Sequence, residues 1–212
     1  MPISVLVVDD HSVFADAMQS RLLAEPDFHP VFVAYSVAEA RTMLSRVQVD
    51  VAVLDQGLGD GQGTQLAEHI RTGMPEARVI ILSALRALEP VVDAVVVGVS
   101  GWIPKTSDVS HLIRAIRGVH AGEIWMAPDL LGEVIPRLLR RLGDQPPDPL
   151  AVLTARERQV LDCMVEGLSR PEISARLQLS GNTVRTHTQN LIGKLGVHSS
   201  LAAVAIALRS RS

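Results

Sequence analysis

Asp50-Val-Ala-Val-Leu-Asp55-Gln-Gly-Leu-Gly-Asp60-Gly-Gln-Gly63 decides the fold of this chain. Val51 to Leu54 is an unbroken apolar run, too short for a helix, and fits a strand buried on both faces of a parallel sheet. Asp55 stands at its carboxyl end, followed by glycines at 57, 59, 61 and 63. In open α/β sheets ligands bind outside the carboxyl ends of the strands. A carboxylate there serves as metal ligand, nucleophile or general base. Alternatively it caps the next helix or bonds within the turn. The flanking sequence has to choose.

Before this stretch, Ile3–Val8 predicts a strand ending in Asp9-Asp10, then an amphipathic helix through Phe14, Ala17, Met18 and Leu22. Pro30–Tyr35 predicts a second strand, and Ser36 with Glu39 a capping box opening a helix. After it come a helix over Gly63–Arg71, a strand over Arg78–Leu82 ending at Ser83-Ala84, and an unusually apolar helix over Glu89–Val97. A short strand, Gly101–Pro104, ends at Lys105, and a helix follows over Ser107–His120. Strands alternating with helices predict a doubly wound five-stranded parallel sheet. Right-handed crossovers put all five carboxyl ends on one edge.

That edge gathers Asp9, Asp10, Asp55, Ser83 and Lys105, each group following a different strand. Three adjacent carboxylates repel one another and favour a cation between them. Hard oxygen ligands suit Mg²⁺, which binds alongside a phosphate. Lys105 and Ser83 suit phosphoryl oxygens. The chemistry implied is phosphoryl transfer to or from Asp55.

Hydrophobic residues make up 47% of the chain and charged residues 20%, which argues against wholesale disorder. Cys163 is the sole cysteine, so no internal disulfide forms; it is expected in the core. No signal peptide is evident, and the most apolar long window, Pro90–Pro104, is too short and interrupted to span a bilayer. A cytoplasmic protein without membrane partners is expected. Charge is lopsided: residues 1–149 hold 12 Lys+Arg against 19 Asp+Glu, a net −7, and residues 150–212 hold 8 against 4, a net +4. The basic back part suits an anionic partner such as nucleic acid.

Residues 127–142 are expected to be partly helical, kinked or broken at Pro136. Gly143–Pro149 has a linker composition. Beyond it, Thr154 and Glu157 form a second capping box, Ser169 caps a short helix with Pro171 in its first turn, and residues 178–180 turn into a helix over Gly181–Leu195. Val184, Leu191 and Leu195 face inward; Asn182, Arg185, Thr186, Gln189 and Lys194 lie outward. Ser199–Arg209 makes a last, alanine-rich helix. Two helices joined by a tight turn, the second polar and basic, fit a helix-turn-helix. The boundaries expected are 1–122 for the α/β domain, 123–149 for the linker and 150–212 for a smaller all-α domain.

Residues 3–120 resemble a bacterial response-regulator receiver domain, through Asp9-Asp10, Asp55, Gly63, Ser83-Ala84 and Gly101-Trp-Ile-Pro-Lys105. Residues 152–208 resemble the LuxR-type helix-turn-helix of NarL/FixJ response regulators. The residues carrying that likeness are Leu153-Thr-Ala-Arg-Glu-Arg-Gln-Val-Leu161, Gly167-Leu-Ser169, Ser180-Gly-Asn-Thr-Val-Arg-Thr-His187 and Lys194-Leu-Gly-Val197. The resemblance implies that Asp55 accepts a phosphoryl group from a sensor histidine kinase. It implies Mg²⁺ held by Asp9, Asp10, Asp55 and the Gly57 carbonyl, with Lys105 pairing the phosphoryl group and Ser83 moving to bond it. Trp102 stands at the place of the family's switch aromatic, or is simply a core residue. Gly181–Leu195 would enter the major groove, with Arg185, Thr186 and Gln189 at base edges. Thr183, Asn190 and Lys194 would contact phosphates, and His187 either does so or is buried.

The chain departs from the family at Gly59, where proline is usual, and at Gln56, where an apolar residue is common. Thr106 follows the lysine where many receivers have proline, and Ser200 replaces a frequent arginine. Four glycines predict a loop more flexible than usual. The function expected is that of a transcriptional regulator, not an enzyme, dimeric when active and switched by phosphorylation of Asp55. A phosphatase on the same scaffold would need a second acid just after Asp55, and Gly57 cannot supply it. A receiver serving only for dimerisation is the remaining alternative.

Overall fold

The computed structural model describes residues 2–84, 88–141 and 149–210. Five parallel strands form the central sheet: β1 (Ile3–Val8), β2 (Phe28–Ala34), β3 (Val51–Asp55), β6 (Arg78–Ser83) and β7 (Gly101–Pro104). Their order is β2-β1-β3-β6-β7, so the chain reverses direction across the sheet between β1 and β3. That is where a doubly wound sheet opens a crevice at its carboxyl edge. The register brings Val8 beside Leu54, and Asp55 beside Leu82. The second strand starts two residues earlier than expected, at Phe28. It takes in Pro30, which an edge strand tolerates because only one side needs ladder donors.

Alternate residues of each strand feed two cores. Val5, Val7, Val51, Val53, Ile80 and Leu82 pack with α1 (Ser12–Leu23) and α5 (Val109–Ala121). Leu6, Val8, Ala52, Leu54 and Ile81 pack with α2 (Val37–Leu44), α3 (Gly63–Gly73) and α4 (Leu88–Val97). After α5 the chain returns to the sheet edge, where Trp102 N–H donates to the Trp125 carbonyl at 2.8 Å.

α6 (Pro128–Arg141) runs unbroken through Pro136. The carbonyl that Pro136 leaves without a donor belongs to Gly132, which is exposed to solvent. The expected break is therefore absent, while Val134 and Leu138 remain fully buried. Of the expected linker 143–149, only Pro149 lies within the described residues.

The back part comprises α7 (Ala155–Val165), α8 (Arg170–Leu177), α9 (Gly181–Lys194) and α10 (Ser200–Ser210). The Thr154 capping box forms as expected: its hydroxyl accepts from Glu157 N–H, and Glu157 Oε2 accepts from Thr154 N–H at 2.8 Å. Cys163 is buried. The core of α2–α4 continues without interruption into α6 and α7–α10. The apolar faces of α4 and α10 thus cover one another, together with α6. Gly98 adopts φ +110° at this junction, and a Cβ there would lie 2.5 Å from the His198 carbonyl oxygen.

Candidate functional site

The sheet brings the predicted edge residues together. Asp9 follows β1 and Asp55 ends β3; they are 1% and 4% exposed. Lys105, just past β7, places Nζ 2.8 Å from Asp9 Oδ2 and 2.8 Å from Asp55 Oδ2. Burial pushes the ammonium's pKa down, but its bonds to Asp55 and Asp9 outweigh this and hold it above its ordinary value. Lys105 N–H donates to the Ser83 carbonyl at 2.9 Å, which fixes the lysine to the end of β6. Ser83 itself is buried. Ligand atoms of Asp9, Asp10, His11 and Asp55 all lie within 4.8 Å of one another. The His11 ring nitrogen Nδ1 is 3.2 Å from Asp9 Oδ1 and 3.0 Å from Asp10 Oδ1. Three hard carboxylates converging on one point fit a divalent cation such as Mg²⁺.

The glycine-rich stretch is not an open loop. Gly57–Leu58 (β4) pairs antiparallel with Gly61–Gln62 (β5). At the turn, Asp60 accepts hydrogen bonds from Val37 N–H at 2.8 Å and Ala38 N–H at 3.0 Å, pinning the hairpin to the first turn of α2. Those bonds hold its carboxyl below the usual carboxylate range. Gly63 has a steric reason: a Cβ there would meet the Asp55 carbonyl oxygen at 2.3 Å, because α3 begins directly against the end of β3.

In the back part, Val184, Leu191 and Leu195 are buried as expected, and Asn182, Thr186, Gln189 and Asn190 are exposed. α8 and α9 have helix-turn-helix connectivity, with α9 capped by Ser180, whose hydroxyl accepts from Thr183 N–H. Arg185 and Gln189 both reach Glu76, on the loop before β6, through an ion pair and a hydrogen bond.

Residues 5–117 match the response regulator receiver domain, and residues 151–207 match the family of bacterial regulatory proteins, luxR family. The chain is a NarL/FixJ-family response regulator. It is similar to the DNA-binding transcriptional activator DevR/DosR of Mycobacterium tuberculosis, at 34% identity over 97% of this chain and 94% of that protein. The nitrate/nitrite response regulator NarP of Escherichia coli is 31% identical over 99% and 96% of the two chains. A LuxR-family response regulator structure from Aurantimonas sp. covers 65% of this chain and 98% of its own, at TM-score 0.59 and 26% identity. The RcsB–DNA complex shares the fold over 100% of both chains, at TM-score 0.54 and 19% identity. This regulator is therefore a DNA-binding transcription regulator of two-component signalling, not an enzyme.

Two predicted residues of the regulator have further contacts. Lys194 lies outward as expected, its side chain 40% exposed, and its Nζ is 2.8 Å from Glu157 Oε2. Trp102 is 5% exposed and lines a cavity of about 340 Å³ whose walls also include Ser83, Leu88 and Leu130. Sequence reasoning missed His11, Asp60 and Glu76. The Gly59-Asp60 turn between short segments was the available hint for Asp60. Nothing local marked Glu76, whose partners are 109 and 113 residues away.

Proposed function

We propose that Asp55 is the phosphoacceptor of this regulator and that phosphorylation converts a closed chain into a DNA-binding dimer. Lys105, held at 2.8 Å from both Asp9 and Asp55, is the observation that carries the reading. A buried carboxylate attacks a phosphohistidine only if the charge gathered at the phosphoryl group is balanced. As the Asp55 Oδ–P bond forms, the donor's P–N bond breaks. Lys105 turns its ammonium to the new phosphoryl oxygens, and Ser83 offers its hydroxyl.

Asp9, Asp10, Asp55 and the Gly57 carbonyl would hold Mg²⁺, whose chemistry there is neutralisation of phosphoryl charge. The hairpin pinned by Asp60 positions Gly57 for that role. Ser83 and Trp102 line the same cavity as Leu130 of α6, so a shift of Ser83 alters a wall on which the inter-domain helix rests.

In the closed chain, Glu76 occupies Arg185 and Gln189, the groups expected at base edges, and α4 covers α10. Opening frees both, so that α10 can pair two chains on half-sites about one helical turn apart. Asn182, Thr183, Thr186, His187, Asn190 and Lys194 complete the DNA-facing set, and the regulator works in the cytoplasm. Among the described residues, no helix is long and apolar enough to cross a membrane.

Intact mass after incubation with a small phosphodonor and Mg²⁺ tests the acceptor. A single adduct of about 80 Da, one phosphoryl group, is expected, and none in Asp55→Asn. An adduct that persists in the variant, or no adduct on the parent, rejects the assignment.

A further inference from the structure

The ring of His11 sits at the carboxylate cluster, and helix capping does not account for it. His11 directly precedes α1. Its carbonyl accepts from Phe14 N–H and Ala15 N–H at 3.0 Å, and its own N–H donates to Asp9 Oδ1 at 3.0 Å. Those bonds fix the backbone, and the side chain makes no capping bond. Nor does burial hold the ring, since the side chain is 73% exposed. The imidazole nevertheless turns back over the end of β1, with Nδ1 3.0 Å from Asp10 Oδ1 and 3.2 Å from Asp9 Oδ1. Asp9 is thus approached from two sides, by Lys105 at Oδ2 and by His11 at Oδ1. His11 also shares the lining of a cavity of about 520 Å³ with Asp55, Gly57 and Lys105.

An Nδ1 so placed either donates a proton to the carboxylates or, in the tautomer with hydrogen on Nε2, offers a fourth ligand atom beside theirs. Nitrogen and carboxylate oxygen bind a first-row ion such as Zn²⁺ at about 2.0–2.2 Å, which sets neighbouring ligand atoms about 3.0–3.4 Å apart. Both separations from Nδ1 agree with that spacing. Mg²⁺ takes oxygen ligands and keeps its waters, whereas imidazole suits the later transition ions. We propose that His11 is a metal ligand, and that it gives the acidic site a selective affinity for divalent transition ions of the Co²⁺–Zn²⁺ class. The inference rests on the cation site proposed above at Asp9, Asp10 and Asp55, and adds one nitrogen to that oxygen set. Occupancy of the site then answers to transition metal as well as to Mg²⁺.

Isothermal titration of the full, untagged, unphosphorylated chain with Co²⁺, and separately with Mg²⁺, tests it. The two affinities are compared as a ratio between parent and variant, so that intrinsic differences between the ions cancel. His11→Ala is expected to weaken Co²⁺ at least about tenfold and to leave Mg²⁺ unchanged, since losing even an outer-shell partner of a metal site costs about 10–100-fold. Asp10→Asn should weaken both ions. Excess Mg²⁺ should weaken Co²⁺ binding to the parent by competition. A Co²⁺ affinity that His11→Ala leaves intact, or lowers by the same factor as that for Mg²⁺, overturns the role of His11 alone. So does Co²⁺ binding that ignores both Mg²⁺ and Asp10→Asn, which marks capture by other histidines. If neither ion binds the parent, the cation site itself fails, and the inference with it.

Discussion

Glu76 of the receiver is ion-paired to Arg185 of α9, and the same carboxylate accepts a hydrogen bond from the Gln189 amide. The two side chains best suited to guanine and adenine edges are thus held by one acidic residue of the other half. On the proposed DNA-facing role of Arg185 and Gln189, DNA competes with the protein's own carboxylate.

Replacing that carboxylate should favour the open chain. Both partners are more than a third exposed, so the pair contributes little, about 0.2–1 kcal/mol. Glu76→Ala is expected to tighten DNA binding by the unphosphorylated chain about 1.5–5-fold, leaving the phosphorylated chain unchanged. Fluorescence anisotropy on a labelled operator fragment reads both states. An equal change in the two would mean that Glu76 acts by general charge rather than by closure.

Lys105 pairs with two enclosed carboxylates. Lys105→Ala leaves Asp9 and Asp55 facing each other, and a loss of about 3–5 kcal/mol of stability is expected without metal. Added Mg²⁺ should restore part of it. Urea denaturation with and without Mg²⁺ checks this, and a variant whose stability ignores Mg²⁺ contradicts the cation site.

The hairpin after Asp55 depends on Asp60. Asp60→Ala removes the acceptor for the Val37 and Ala38 amides and should cost about 1 kcal/mol, as the loss of a helix cap does. Phosphorylation should need more Mg²⁺, since Gly57 is no longer held in place. Asp60→Asn keeps one acceptor and should recover most of the Mg²⁺ response. If Mg²⁺ dependence is identical in all three proteins, the hairpin is structural only.

Glu157 gives the DNA-binding half an acid-sensitive contact. Burial alone would raise its carboxyl, but Lys194 and the Thr154 N–H and hydroxyl hold it below its ordinary value of 4.5. Its contribution is therefore complete above pH 4.5 and is lost as pH falls through the lower folded-state value. Glu157→Gln should lower stability at neutral pH by about 1–2 kcal/mol. Thermal melting across pH should show that gap closing on the acid side. A gap independent of pH would mean that shape rather than charge makes the contact.

Much of this molecule follows from short-range pattern. The apolar run Val51–Leu54, the acidic ends at Asp9-Asp10 and Asp55, and the Ser36 and Thr154 caps depend on residues within a few positions of one another. Right-handed crossovers then leave only one edge for Asp9, Asp55, Ser83 and Lys105 to share. Composition misled where contacts settle the matter. Four glycines suggested a loose loop, but Asp60 found two amides on α2. Pro136 suggested a kink or a break, but α6 runs on through it, with Gly132 exposed and Val134 and Leu138 buried. The apolar faces of α4 and α10 gave no sign of their partner, and they cover each other. Glu76 beside Arg185 and Gln189 is decided only by how the two halves of the chain pack. Periodicity records which face of an element is buried. It does not record against what, because that choice is made by surfaces a hundred residues apart in the chain.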